Sequence, residues 1–82
     1  MALVYCLKGT SGRHYIGATE DLEARVARHN AGLVYSSKRL GIPLVLVASR
    51  EFDSMNDALK VERQLKRLKS PAKAIQFLNE RR

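Results

Sequence analysis

One cysteine, Cys6, stands in the whole chain, so neither an internal disulfide nor a thiolate metal cluster can form. Cys6 alternates with apolar neighbours in a strand-like segment, where a buried structural thiol is expected rather than a nucleophile. Five glycines and two prolines are too few for a linker or a low-complexity segment, and no stretch of the sequence repeats. Long apolar runs are missing too. Nothing approaches the roughly 18 residues of a spanning helix, and the first residues lack the basic start and apolar stretch of a secretory signal. No membrane association is expected, and a reducing cytoplasm fits. Acidic residues are the last shortage: eight Asp and Glu face fifteen Lys and Arg, a formal charge of +7. Such an excess points to a polyanionic partner, nucleic acid before a membrane surface.

What is present makes one compact domain, expected over residues 1–82. Hydrophobic residues are 45% of the chain, enough for a modest core. Leu3 to Leu7 and His14 to Ala18 read as two strands of a hairpin, joined by a turn from Lys8 to Arg13. A helix capped by Thr19 or Asp21 runs to about Asn30 and ends at Gly32. Leu33 to Ile42 reads as an irregular, partly basic loop. Pro43 to Phe52 holds a third strand, whose apolar run Pro43 to Ala48 suggests burial. Ser54 caps a helix to about Lys69, and Ser70-Pro71 starts a last one. The order is β-β-α-β-α-α, an α+β domain with a small antiparallel sheet flanked by helices.

Two helices carry residues out of place. At about 100° per residue, Ala58, Val61, Leu65 and Leu68 share one side of the penultimate helix, with Met55 at its margin. Glu62 falls on that side. An ionised carboxylate there needs compensation: a metal ion, an arginine, or a bend toward water. A metal ligand and a partly buried salt bridge fit the pattern equally. In the first helix Leu22 and Val26 form a narrow apolar face, and Arg25 and His29 project beside it. Arginine suits bidentate phosphate contact, and histidine can move a proton near neutral pH. Either side chain can equally reach past the core to solvent. The strand tyrosines, Tyr5 and Tyr15, have core packing with a satisfied hydroxyl as their ordinary role. Gly17 relieves close packing or permits a bulge.

The whole series is more specific than its parts: Tyr5, a short turn, Tyr15-Ile16-Gly17, Arg25, His29 four residues on, and Glu62. It resembles the GIY-YIG nuclease family over about Ala2 to Leu78, in particular its short standalone bacterial members and its structure-specific repair branch. The first half-motif reads Leu3-Val4-Tyr5 and the second Tyr15-Ile16-Gly17. The family's helical arginine falls on Arg25, the Tyr-or-His position on His29, and the metal-binding glutamate on Glu62. Leu3 stands where the family has glycine, Ala18 where repair enzymes often have lysine, and no asparagine after the glutamate matches clearly.

The resemblance implies a three-stranded antiparallel sheet and a metal-dependent endonuclease acting on nucleic acid, DNA by preference, with DNA repair as a setting. Glu62 would hold one divalent cation, Mg²⁺ or Mn²⁺, with water and substrate phosphate completing the shell. Tyr5 is expected to activate or orient the water. A phenol of pKa about 10 needs help to ionise, from Arg25 or from the metal through a water. Tyr15 positions water or metal, Arg25 neutralises charge on the phosphate, and His29 supports the nucleophile or binds a phosphate oxygen. Lys38, Arg39, Arg63, Lys66, Lys69 and Lys73 are the expected phosphate contacts. Such contacts carry little sequence information, so structure-selective cutting is expected over sequence-specific cutting. A homodimer or a partner protein would serve double-strand cleavage. A noncatalytic nucleic-acid-binding module on the same fold is the alternative, and a protein-interaction adaptor a third.

Overall fold

The computed structural model describes residues 1–80, so the last two positions of the expected 1–82 unit lie outside it. Three strands form one antiparallel sheet: β1 (Ala2–Lys8), β2 (His14–Thr19) and β3 (Val45–Phe52), in the order β2-β1-β3. Helix α1 (Leu22–Asn30) follows the hairpin. A single turn, α2 (Tyr35–Lys38), precedes β3, and α3 (Met55–Leu68) and α4 (Pro71–Asn79) close the chain. The expected order β-β-α-β-α-α holds. The segment expected to be irregular contains α2, whose four residues are too few to show a helical period.

The central strand feeds two cores, because neighbouring side chains of a strand point to opposite faces. Ala2, Val4 and Cys6 pack with Ala18 and Ala48 beneath Ala58, Leu65, Ala74 and Leu78 of α3 and α4. Five alanines in this cluster let the helices approach the sheet closely. Tyr5 and Leu7 face the other way, with Leu44, Tyr15, and Leu22 and Val26 of α1. Burying Val4 or Leu7 contributes roughly 1.5–3 kcal/mol each, and neither has any exposed surface.

Each long helix starts on a side-chain cap. Asp21 accepts the Ala24 N–H at 3.1 Å, Ser54 that of Asp57 at 3.2 Å, and Ser70 that of Lys73 at 3.3 Å. Of the two residues proposed to cap α1, Asp21 therefore does so, while Thr19 ends β2 and accepts the Asp21 N–H through its hydroxyl. Gly32 turns the chain out of α1 with φ +74°, a left-handed conformation glycine adopts without strain. The start of β3 is tied down by Asn30, whose side chain exchanges two hydrogen bonds with the Leu44 backbone.

Two expectations about burial fail. The run Pro43 to Ala48 is not a buried strand: Val45 and Leu46 are 58% and 40% exposed, because β3 lies at the edge of the sheet. An irregularity between Cys6 and Leu7 in the pairing of β1 with β3 adds a residue to β3 there. Leu68, in the last turn of α3, is also half exposed.

Candidate functional site

Register decides how close the two tyrosines come. Tyr5 pairs with Gly17, and Leu7 with Tyr15, so both rings emerge on the α1 face from adjacent strands. Their centroids are 6.4 Å apart. Gly17 is needed for this approach, since a Cβ there would collide with the Tyr5 hydroxyl and the ring carbon that bears it. It relieves close packing and forms no bulge with β1.

His29 reaches the same place from the last turn of α1. It has no exposed surface, and its Nε2 lies 2.9 Å from the Tyr5 hydroxyl. Its ring meets Tyr15 edge-on at 4.8 Å and Tyr5 at 5.8 Å. Its other nitrogen, Nδ1, is in hydrogen-bond contact with the Ser37 hydroxyl on α2. Ser37 is itself buried, and its hydroxyl donates to the Val34 carbonyl at 3.2 Å. Sequence reasoning did not single out Ser37. It sits in a short turn with no periodic pattern, and only the fold brings it to His29.

Charge gathers around this aromatic cluster. Tyr5 has no exposed surface, and its pKa is pushed up to about 12, first by burial and then by the neighbouring Tyr15. Arg25, in polar reach of the phenol, pulls the other way without prevailing. Arg25 thus acts in the direction expected of it, toward the ionised phenol, but in the free protein desolvation outweighs the guanidinium. Burial also holds the His29 pKa below the usual histidine value, with Arg25 adding to the effect. The imidazole is thus neutral at pH 7 and able to accept a proton.

Glu62 bears on the cluster through its charge. Its helix packs on the opposite face of the sheet, mainly against β2 and β1. Even so, its side chain is only 17% exposed, and its charge acts on Tyr5. One carboxylate oxygen lies 3.6 Å from the Lys66 ammonium, itself 5.6 Å from the centre of the Tyr15 ring. Glu62 is thus half-buried and paired at the same time. No group of three His, Cys, Asp or Glu side chains among the described residues gathers as a ligand set. A lone carboxylate suits a hard cation that keeps most of its waters, such as Mg²⁺, and does not suit a caged ion.

The six proposed phosphate contacts divide. Lys66 and Lys69 line a groove of about 320 Å³ beside Tyr15, between β2 and the α3–α4 corner. Lys38 is on α2, one residue after Ser37. Arg39, Arg63 and Lys73 are exposed, and none of them lines that groove. Arg25 lines a second hollow, of about 420 Å³, with Thr19, Asp21 and Arg28.

A small sheet that carries paired tyrosines, an arginine and a histidine on the first helix, and a glutamate on a later one defines a GIY-YIG-type domain. The GIY-YIG catalytic-domain model matches residues 1–76, and the chain belongs to this family. It is 38% identical over 79 residues to a UPF0213 protein of Streptococcus pneumoniae, covering 96% of this chain and 79% of that one. It is 35% identical over 74 residues to a UPF0213 protein of Halobacterium salinarum, covering 90% and 96%. The solution NMR structure of a UPF0213 protein from Bacillus halodurans superposes with a TM-score of 0.55 at 33% identity, covering 94% of this chain and 82% of that one. These relatives form a small standalone GIY-YIG group. The domain is that of a nuclease family, whose members are usually endonucleases that act on nucleic acid and typically use a divalent metal. No helix among the described residues is long and apolar enough to cross a membrane.

Proposed function

We propose that this chain, as a single domain over residues 1–82, is a metal-dependent endonuclease that hydrolyses phosphodiester bonds in DNA. The observation that carries the reading is the hydrogen bond between the Tyr5 phenol and the neutral, buried His29, with Tyr15, Arg25 and Glu62 around it. That hydrogen bond supplies what a high-pKa phenol needs in order to act as a base, a place to put its proton.

Arg25 binds the scissile phosphate and offsets the charge that builds on its oxygens. Tyr5 is closed to solvent in the free protein. Bound substrate would have to uncover its hydroxyl for the attacking water to reach it. Tyr5 takes a proton from that water as its own passes to His29 Nε2, so the phenol never has to ionise against its burial. His29 carries the proton until the products leave. Tyr15, partly exposed beside the groove, positions the water. Glu62 is the residue that would hold Mg²⁺ or Mn²⁺, and the bound cation supplies Lewis-acid charge at the phosphate. Lys66 and Lys69 present charge to flanking phosphates and not to base edges. This favours recognition by the shape of the nucleic acid over recognition by sequence. DNA repair in the cytoplasm is the role that fits, with a second copy or a partner protein to cut both strands.

The test is cleavage of branched, nicked and linear DNA with Mg²⁺ or Mn²⁺. Tyr5→Phe, His29→Ala and Glu62→Ala should each lower kcat by about 100-fold or more. Parental rates in all three would end the proposal. A noncatalytic binding module is favoured by two observations, the solvent-closed Tyr5 and the pairing of Glu62 with Lys66. It predicts salt-sensitive DNA binding that survives Glu62→Ala, with no cleavage under either metal.

A further inference from the structure

We propose that Ser37 is a positioning residue that fixes the tautomer of His29, and so decides whether the Tyr5 phenol has a base to give its proton to. The inference rests on the nuclease reading for its kinetic consequence, but not for its structural one.

A neutral imidazole has one N–H and one lone pair, and its neighbours decide which nitrogen carries which. Ser37 has a single hydroxyl hydrogen. The Val34 carbonyl, 3.2 Å away, also takes the Ser37 and Lys38 N–H groups and can only accept, so the hydrogen bond to it requires the hydroxyl hydrogen. Toward His29 the hydroxyl then presents a lone pair, and Nδ1 must carry the proton and donate. Nε2 is left with its lone pair directed at Tyr5, 2.9 Å away, and the phenol must donate. One directed chain results: Tyr5 O–H to His29 Nε2, His29 Nδ1–H to Ser37 Oγ, Ser37 O–H to the Val34 carbonyl. The opposite tautomer would set two lone pairs against each other at Ser37, and it would make the phenol accept from Nε2–H and turn its own hydrogen away from the partner it has here.

Burial makes the choice binding. Tyr5, His29 and Ser37 have no exposed surface, so no solvent water offers the imidazole another partner. Among the described residues no buried side-chain nitrogen or oxygen lacks a partner, so the chain has no slack. The α2 turn thereby gains a purpose. It places the Ser37 hydroxyl within reach of both Val34, which precedes the turn, and His29, at the end of α1. In the catalytic step the phenolic proton moves to Nε2 while a proton of the water moves to the phenol oxygen. The imidazolium that forms keeps its Nδ1–H on Ser37.

Two readouts test this on the full chain. Long-range ¹H–¹⁵N correlation of the His29 ring should show the Nδ1–H tautomer in the parent, a mixture or the reverse in Ser37→Ala, and the parental form in Ser37→Thr, which keeps the hydroxyl. In cleavage assays Ser37→Ala should lower kcat by about 10- to 100-fold with KM little changed, and Ser37→Thr should restore most of the loss. A parent ring protonated on Nε2 overturns the proposal. So does a Ser37→Ala protein that retains both the Nδ1–H tautomer and the parental kcat. If the parent cuts no substrate, the nuclease reading fails alone and the ring tautomer still decides the assignment of Ser37. If Ser37→Ala does not fold, the parent tautomer and the Ser37→Thr protein decide it.

Discussion

The Tyr5 hydroxyl occupies space that exists only because the residue across the ladder has no side chain. Gly17→Ala would put a methyl group against that hydroxyl and its ring carbon. The ring is wedged in the core beside Leu7 and Leu44 and cannot swing clear. Relief requires a strand shift costing about 1–3 kcal/mol, and it pulls the phenol away from His29. We expect Gly17→Ala to lower the unfolding free energy by that amount in urea titration and to abolish most cleavage. A variant of parental stability with parental cleavage would show that the tyrosine pair tolerates displacement. At this scale the sequence told a good deal. The series it marked includes Tyr5, Tyr15 and His29, which the fold brings into contact, and Arg25 and Glu62, whose charges act on Tyr5. The sequence left a metal ligand and a salt bridge equally open for Glu62 and could not decide that Lys66 pairs with it, because pairing depends on rotamers and not on helical phase alone. Nor could it show that Tyr5 is walled off from solvent, because that burial is built from three separate elements.

Among the elements, the helices were the most legible and the connections the least. Asp21, Ser54 and Ser70 each announced a helix start, because a short polar side chain just before an apolar pattern caps free N–H groups. The α2 turn carried no such signal, and it brings Ser37 into the site. One helix end conflicts with its own backbone. Lys69 stops α3 in a left-handed conformation, φ +51°, which for a residue with a Cβ costs about 1–2 kcal/mol. Lys69 also lines the groove beside Tyr15, where its charge faces an expected phosphate. Lys69→Gly should therefore separate stability from binding. Thermal unfolding should rise by several degrees, on the order of 4–8 °C per kcal/mol in a domain of this size, while affinity for DNA falls. A glycine variant that is no more stable would mean that α3 ends without strain. α4 is held to the sheet by Arg50 of β3, whose guanidinium lies 4.9 Å from the Phe77 ring centre and 3.4 Å from the Phe77 carbonyl.

For the molecule as a whole, the charge of +7 sets the long-range behaviour. Each phosphate neutralised by a lysine releases counterions, so the logarithm of affinity should fall linearly with the logarithm of salt, by about 0.9 per contact. Replacing Lys66 and Lys69 together by alanine should reduce that slope by about 2. The same change at Arg63 and Lys73, which do not line the groove beside Tyr15, should move it less. Equal effects from the two pairs would place the nucleic acid elsewhere. The arrangement of the sheet has one more consequence. The tyrosines stand on β1 and β2, and β3 closes the opposite margin with Val45 and Leu46 open to water. New strands or a fused module added along that margin would pair with the one strand that carries neither tyrosine, so the sheet can be widened on the side away from the paired phenols.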